Sequence, residues 1–266
     1  MKYALVNNKK VEAAKGQVGI CPVCGSTVIA KCGNYKINHW AHKTKQNCDA
    51  WWENETIWHR NWKNYFAPEW QEKIFTDDAT EEKHIADICT DSNLVIEFQH
   101  SAIKPEEKIS RENFYKNMLW VIDGTRLKND YPKFQNGTFE LIGKPAEPAL
   151  FLCHNPQSAI PKMWCNSNIP ILFDFLGIEE NIPQNDIRQF LFCVLPVIVD
   201  NKAIIVRMTR STFIYNVQND AILNYLNNLT REIPELYRKL KNMQTQRLVQ
   251  YQLRPRYTRR RFSRRL

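Results

Sequence analysis

Residues 84–101 read His84-Ile85-Ala86-Asp87-Ile88-Cys89-Thr90-Asp91-Ser92-Asn93-Leu94-Val95-Ile96-Glu97-Phe98-Gln99-His100-Ser101 and predict two short strands joined by a turn. Asp87 lies in the first strand, whereas Glu97 and Gln99 lie two apart in the second strand, so both point to one face. An acid on each of two paired strands is a compact way to hold a divalent cation such as Mg2+, which takes oxygen ligands. The stretch therefore predicts a metal site on a hairpin.

A solvated hairpin with charges on its outer face is the alternative interpretation of the same stretch. Its apolar neighbours favour burial instead, and they are Ile85, Ile88, Leu94, Val95, Ile96 and Phe98. A buried carboxylate needs a partner or a metal, because an isolated charge is costly to remove from water. The metal site is the interpretation that follows from this burial.

Composition places the chain among ordinary globular proteins. Its 266 residues are 43% hydrophobic, enough for one large domain or two to three small ones with an ample core. Met1 to Lys10 lacks the apolar segment of a signal peptide, and the longest apolar run, Phe190 to Val199, is too short to span a bilayer. Eight cysteines in such a chain favour a metal site in a reducing cytoplasm over a disulfide framework. We expect a cytoplasmic protein with no membrane partner.

Residues 1–48 are predicted to form a zinc ribbon. Cys21, Cys24, His39 and His42 follow the pattern C-x2-C-x14-H-x2-H, which suits tetrahedral Zn2+. Four protein ligands close the coordination sphere, so the zinc would be structural. Cys32 or Cys48 in place of a histidine is a variant. In the remaining alternative the cysteines pack as small apolar residues and the histidines are surface residues.

A helix is predicted over Trp51 to Glu69, because large apolar residues recur at three- and four-residue steps. Glu55, His59 and Lys63 recur at i, i+4 and i+8 and share a neighbouring face. Such a polar stripe is typical of a solvated helix edge. The same spacing also lets the three side chains reach a common point, where Glu55 is a candidate metal ligand and Lys63 a contact to phosphate or water.

Downstream of the hairpin, a helix from Pro105 to about Asn117 presents Arg111 and Tyr115, and a buried strand follows at residues 119–122. Residues 49–177 are thus predicted as one α/β (α+β) domain. Residues 178–246 are predicted as a C-terminal mixed α/β region, with a hairpin at 194–208 and a helix from Asp220 that is kinked near Pro234.

The last segment, residues 247–266, carries most of the charge of the chain. It contains no acid and eight arginines, namely Arg247, Arg254, Arg256, Arg259, Arg260, Arg261, Arg264 and Arg265. These supply +8 of the net charge of +9, so the rest of the chain is nearly neutral. Arginine interleaved with aromatic residues suits single-stranded nucleic acid, since bases stack and phosphates pair. RNA, an acidic protein and no dedicated ligand at all are the alternatives.

Several motifs together resemble the competence protein CoiA-like family over about residues 1–125. They are Cys21-Pro22-Val23-Cys24, His39-Trp40-Ala41-His42, Glu55-x3-His59-x3-Lys63, Ala86-Asp87, Glu97-Phe98-Gln99-x-Ser101, Arg111-x3-Tyr115 and Leu119-Trp120-Val121-Ile122. The resemblance implies a PD-(D/E)XK restriction-endonuclease-like core behind a zinc-binding N-terminus.

The resemblance also implies roles for individual residues. Asp87, Glu97 and Glu55 would hold Mg2+ or Mn2+, and His59 would orient a water or contact phosphate. Gln99 stands where this nuclease class more often has lysine, so Lys63 is the candidate for the missing cation. Arg111 and the tail arginines would contact nucleic acid.

The function that follows is hydrolysis of DNA phosphodiester bonds by a metal-dependent (endo)deoxyribonuclease, acting on single- or double-stranded DNA in competence or phage defence. The alternative is a catalytically inactive nucleic-acid-binding adaptor with a nuclease-like fold, and Gln99 favours it. RNA as the polymer, a protein partner and a homo-oligomer are left open.

Overall fold

A computed structural model describes residues 1–44, 48–77, 80–144 and 146–252 of the chain. Met1–Leu226 form one compact unit, and the chain from Asn227 onward belongs to a second. Within the described residues, no helix combines the length and apolar character that a membrane crossing needs.

The N-terminal part of the first unit is a small antiparallel sheet of five strands. The strands are β1 (Tyr3–Val6), β2 (Lys9–Glu12), β3 (Val18–Ile20), β4 (Thr27–Lys31) and β5 (His39–His42), in the order β2-β1-β3-β4-β5. Asn7 and Asn8 connect β1 to β2 with positive φ angles of 51° and 61°, as a tight hairpin turn requires. Trp40 is 1% exposed and packs in the hydrophobic core of this sheet, and this packing anchors β5 to the other strands.

The rest of the first unit is built on a sheet of nine strands. Its strands are β6 (Gln71–Thr76), β7 (Lys83–Cys89), β8 (Val95–Gln99), β9 (Met118–Asp123), β10 (Phe139–Ile142), β11 (Ala149–Cys153), β12 (Ile171–Asp174), β13 (Phe190–Val199) and β14 (Lys202–Thr209). Their order is β10-β11-β14-β13-β12-β9-β8-β7-β6, and β9 pairs in parallel with both β8 and β12. The helices of this unit are α1 (Ile57–Lys63), α2 (Pro105–Tyr115), α3 (Asp130–Gln135), α4 (Pro156–Ala159), α5 (Lys162–Cys165) and α6 (Arg210–Gln218), and α7 (Ile222–Gln252) begins in it and continues into the second unit. The α/β class is confirmed.

The predicted hairpin is present as β7 and β8. The two strands pair at Ile88 with Ile96 and at Cys89 with Val95, next to the turn. Farther from the turn, at Asp87 and Glu97, side-chain carboxylates accept hydrogen bonds from backbone N–H groups of the other strand. The Glu97 carboxylate accepts from the Asp87 N–H at 3.3 Å, and the Asp87 carboxylate accepts from the Phe98 N–H at 3.0 Å. The two acids therefore lie where the strands stop pairing through their backbones.

Helix α1 is shorter than the predicted helix over residues 51–69, so that prediction was wrong in its extent. Thr56 caps the N-terminus of α1 in a capping box with His59, and Asn64 is the C-cap. A cap requires non-helical backbone, and this excludes Glu55 from the helix. The i, i+4 argument for Glu55 therefore fails, although its side chain still reaches Lys63.

The nine-stranded sheet continues across residue 177, where the sequence predicted a domain boundary. β12 ends at Asp174 and pairs antiparallel with β13, which in turn forms the predicted hairpin with β14. Helix α7 runs through Pro234 without ending there. Arg247 lies in the last turns of that helix, and the other tail arginines, Arg254, Arg256, Arg259, Arg260, Arg261, Arg264 and Arg265, lie outside the described residues.

Candidate functional site

A cavity rich in charged groups opens where β7 and β8 diverge. Its walls come from the segment before α1, from α1 itself, from β6 to β8 and from α2. The charged and titratable groups that line it are Asp49, Glu53, Glu55, His59, Lys63, Glu72, Asp87, Glu97 and Arg111. Six acids thus surround two permanent cations and one histidine.

Lys63 lies at the centre of this cluster. Its ammonium Nζ is 2.9 Å from Asp87 Oδ1, 3.3 Å from Glu55 Oε1 and 3.3 Å from Glu72 Oε1. Burial by itself would lower the pKa of Lys63, but the three carboxylates outweigh burial and raise the pKa well above its ordinary value. Lys63 therefore remains a fixed positive charge inside the cavity.

Glu55 remains ionised for the converse reason. Burial opposes its charged form, but Lys63 and Arg60 outweigh that penalty and lower the pKa of Glu55 to about 2. Arg60 holds the carboxylate with two contacts, 3.1 Å from Nε and 2.7 Å from Nη2. Glu55 is thus bound by two cations, and its oxygens have little freedom to turn toward Glu97.

Glu97 is the carboxylate of the cluster that is hardest to ionise. Burial and the neighbouring charge of Asp87 raise its pKa to about 8, although Arg111 acts in the opposite direction. Arg111 donates from Nη1 to Glu97 Oε2 at 3.0 Å. A buried carboxylate in this state takes up either a proton or an additional cation.

The predicted Mg2+ ligands Asp87, Glu97 and Glu55 all line the cavity, but they do not form a tight triad. In the described part of the chain, the acids of the cavity are not among the groups whose ligand atoms all lie within 4.8 Å of one another. The reason is the placement of the cations, since Lys63 lies between Glu55 and Asp87. Arg111 in turn holds one oxygen of Glu97.

Gln99, predicted as a catalytic residue, is 2% exposed and fixed by its amide. Its Nε2 donates to the Glu53 carboxylate and, at 3.1 Å, to the Ser101 carbonyl. Its Oε1 is buried and has no hydrogen-bond partner in the part of the chain that the structure describes. Gln99 therefore orients Glu53 and supplies no positive charge, as its chemistry requires.

Arg111, predicted as a nucleic-acid contact, is instead 4% exposed. Besides Glu97, its guanidinium contacts Glu107 at 2.5 Å and the Trp51 carbonyl at 2.7 Å. Acids and a carbonyl occupy its Nη1 and Nη2 donors, so a phosphate would have to displace them there. Arg111 thus places a positive charge beside Glu97, and its contact with nucleic acid stays a prediction.

His59 lines the cavity, as predicted, from the first turn of α1. Its Nδ1 lies 2.9 Å from Thr56 Oγ1, and burial lowers the pKa of the ring. A neutral imidazole held through Nδ1 keeps Nε2 as its second site for hydrogen bonding.

Sequence reasoning missed Glu53, Glu72 and Asp49. Glu53 and Glu55 are two apart, a spacing that puts both on one side of an extended segment once Thr56 is recognised as the helix cap. Glu72 adopts a positive φ of 50°, which is uncommon for a residue other than glycine. Its carboxylate accepts the N–H groups of Lys2 at 2.7 Å and Tyr3 at 3.0 Å, so Glu72 ties β1 to the cavity wall.

The face of α1 next to the one that lines the cavity is anchored by Asp174, which is completely buried at the end of β12. Its Oδ2 accepts the indole N–H groups of Trp58 and Trp62, each at 2.9 Å. Its Oδ1 accepts the backbone N–H of Leu176 at 3.0 Å and pairs with Arg210. This anchor fixes the rotation of α1 and hence the side on which His59 and Lys63 project.

A second group of ligand atoms lies in the N-terminal sheet. Cys21, Cys24, His42 and Cys48 offer atoms that all lie within 4.8 Å of one another, so this Cys3His group could hold a metal such as zinc. The Cys24 Sγ is 3.3 Å from His42 Nε2, and the Cys21 Sγ is 3.6 Å from the Cys48 Sγ. Burial opposes thiolate formation at Cys24, but hydrogen bonds from Ser26 and His42 outweigh it and lower the pKa to about 6.

His39, predicted as the fourth zinc ligand, lies outside this group, and Cys48 takes its place. His39 and His42 are three residues apart on β5, so the alternation of a strand sends their side chains to opposite faces. His39 Nδ1 lies 2.9 Å from the Ile37 carbonyl instead. The variant with Cys48 in place of a histidine is the one that the geometry supports.

Comparison with known families gives two matches. Residues 4–50 match the N-terminal domain of competence protein CoiA, and residues 79–162 match the nuclease-like domain of competence protein CoiA. The resemblance to the CoiA family is confirmed by both, and residues 79–162 are assigned a nuclease-like domain. No curated protein and no solved structure matches the chain.

Proposed function

We propose that this chain, a competence protein CoiA relative by both of its matched regions, is a metal-dependent nuclease that hydrolyses DNA phosphodiester bonds. The observation that carries the proposal is the cavity between β7 and β8, where Asp87 and Glu97 lie on diverging strands beside the buried cation Lys63. An acid on each strand of a hairpin, backed by helix α1, is the arrangement expected of a PD-(D/E)XK core.

The residues present fit a hard divalent cation such as Mg2+ or Mn2+. All candidate ligands are carboxylates, and the raised pKa of Glu97 marks an acid that lacks sufficient positive charge around it. We assign Asp87 and Glu97 as the primary ligands. Glu53 accepts a hydrogen bond from Gln99 and lies 3.9 Å from Arg111, which also pairs with Glu97. Glu53 is therefore a better placed third acid than Glu55, which Lys63 and Arg60 bind.

The metal, when bound, polarises the phosphoryl oxygen and lowers the pKa of a water. The chain supplies the remaining parts of the site. Lys63 takes the role that lysine has in related nucleases and stabilises the charge that develops on the phosphate, because it is positive at every relevant pH. His59 offers Nε2 as a contact for a water or a phosphate oxygen. Arg111 donates a hydrogen bond to Glu97 and stabilises its negative charge.

The other parts of the chain serve this site. Zinc at Cys21, Cys24, His42 and Cys48 would stabilise the N-terminal sheet, because four protein ligands leave no open position. The arginines of residues 247–266 would contact phosphates and supply affinity without sequence choice. DNA, in competence or phage defence, is the polymer that we assign in this proposal.

Cleavage of labelled single- and double-stranded DNA with Mg2+ or Mn2+ tests the proposal. We expect the wild type to cut, and Asp87→Asn and Glu97→Gln to lose cleavage while keeping their fold. Glu140→Gln is the matched control, since Glu140 is an exposed acid that pairs with His154 far from the cavity in sequence. Lys63→Ala should lose cleavage as well, whereas binding of the metal should persist.

A catalytically inactive nucleic-acid-binding adaptor is the second candidate. The observation in its favour is that Lys63 is already paired with Asp87, Glu55 and Glu72, while Gln99 carries no charge. Under this hypothesis the wild type binds DNA or RNA in a salt-dependent manner and cuts neither. Divalent metal binding that disappears in Asp87→Asn would contradict it.

A further inference from the structure

His100 and Asp123 form a pair outside the charge cluster, and His100 has so far been given no role although it stands in the hairpin stretch of residues 84–101. His100 directly follows β8, the strand of Glu97, and Asp123 ends β9, which pairs with β8 in parallel. Both residues therefore lie at the carboxyl ends of neighbouring parallel strands. This edge is where open α/β sheets bind their ligands.

The pair has the geometry of an oriented acid–base group. His100 Nδ1 is 2.7 Å from Asp123 Oδ2, and the side chain of Asp123 is 3% exposed. The other oxygen, Oδ1, accepts the Thr125 N–H at 2.9 Å and the Thr125 hydroxyl at 2.6 Å. The carboxylate is thus fixed from both sides, and it sets Nδ1–H of His100 as the donor.

The second nitrogen of His100 is left for other chemistry. The His100 side chain is 36% exposed, and within the described residues Nε2 has no hydrogen-bond partner. A histidine whose Nδ1 is held by a buried carboxylate and whose Nε2 faces outward can pass a proton to a bound molecule.

His100 lies next to a residue of the cavity wall, so a molecule bound in the cavity is the candidate acceptor of this proton. The ring centroid of His100 is 5.9 Å from that of His59, and His59 lines the cavity with Asp87 and Glu97. The two imidazoles therefore meet edge to face, with His59 in the wall of the cavity and His100 just outside its lining. A ligand that is bound at the acids and reaches past His59 would meet His100 next.

We propose that His100, oriented by Asp123, is the general acid that protonates the leaving oxygen of the phosphodiester, an inference that rests on the proposed nuclease function. The oxygen of a water bonds to phosphorus, the bond from phosphorus to the leaving ester oxygen breaks, and that oxygen takes the proton from His100 Nε2. The proton lost by the water passes to solvent, from which His100 regains its own. His100 touches the reacting group, whereas Asp123 is a positioning residue.

The leaving group provides the test, because a good leaving group departs without protonation. We would measure cleavage of a DNA oligonucleotide and of bis(4-nitrophenyl) phosphate, whose nitrophenolate is stable as an anion. His100→Gln should slow cleavage of DNA by about 100-fold or more, but should slow cleavage of the nitrophenyl ester by about fivefold or less. Asp123→Asn should show the same selectivity with a smaller effect on DNA.

His154→Gln is the matched control, because His154 also pairs with a carboxylate, Glu140, at 2.8 Å. It should leave both rates unchanged, and thermal melting should show that every variant is folded. Equal losses on both substrates, or no loss on DNA, in His100→Gln would overturn the inference and leave the nuclease function intact. A wild type that cuts neither substrate would refute the nuclease function, and the general acid with it.

Discussion

Removal of the Asp174 carboxylate should destabilise the protein more than removal of any surface acid. Asp174 is completely buried, and it accepts the indole N–H groups of Trp58 and Trp62, each at 2.9 Å. It also accepts the N–H groups of Leu176 and Gly177 and pairs with Arg210. Asp174→Ala leaves all of these donors without their acceptor.

The magnitude follows from what remains in the core. Each buried donor that loses its partner costs about 1–3 kcal/mol. Breaking a buried ion pair from one side costs about 3–5 kcal/mol. These costs overlap because the groups share one carboxylate, and Arg210 reaches solvent with 21% of its side chain. We therefore expect a loss of about 4 kcal/mol in the free energy of unfolding.

The measurement is urea denaturation of Asp174→Ala and the wild type, followed by tryptophan fluorescence and by circular dichroism. Asp186→Ala is the matched control, because Asp186 also pairs with an arginine, Arg188, at 2.8 Å, but nearer the surface, with 17% of its side chain exposed. The control should lose about 1 kcal/mol or less. A loss in Asp174→Ala no larger than in the control would refute the reasoning that Asp174 anchors α1.

Three further predictions concern the metals, the acids and the tail. The chain should bind about one zinc per molecule, and metal analysis should show its loss in Cys48→Ser but not in His39→Asn; zinc retained by Cys48→Ser would contradict the Cys3His group. Glu97→Gln should stabilise the metal-free protein by a few kcal/mol at pH 8 and less at pH 5. The folded pKa of Glu97, about 8, lies above its ordinary value of 4.5, so the wild type loses stability as pH rises between the two. Thermal melting of Glu97→Gln and the wild type in EDTA across that pH range checks this prediction. A difference in stability between the two proteins that does not change with pH would count against it. Truncation before Arg247 should weaken DNA binding and make the plot of log K for DNA binding against log salt concentration less steep, by up to about 0.9 per lost phosphate contact. An unchanged slope would place the contacts elsewhere.

Local patterns were sufficient to predict the hairpin and the elements around it. The period-2 alternation that puts Glu97 and Gln99 on one face is a property of the strand itself. The same holds for the proline and acids that open α2, and for the apolar run of β9. The sequence also contained the reason for the shorter α1, because Thr56 is a good cap, but the aromatic spacing on both sides concealed it.

Contacts between distant segments could not be predicted in this way. Cys48, which replaces His39 in the Cys3His group, comes close to the Cys-x-x-Cys turn only through tertiary packing. Glu72 enters the cavity only because β6 lies beside β7, and Asp174 meets the indoles of α1 from more than a hundred residues away. His100 and Asp123 come together only because β8 and β9 pair in parallel.

The sequence by itself thus determined the chemical types of the site, namely carboxylates on a hairpin, thiols in a tight turn and a basic tail. The tertiary structure decided which of these groups share a cavity and which cation neutralises which acid. The physical reason is that secondary structure follows from steric and hydrogen-bonding preferences of near neighbours, whereas the ionisation of a buried group depends on every charge within a few ångströms, whatever its place in the chain.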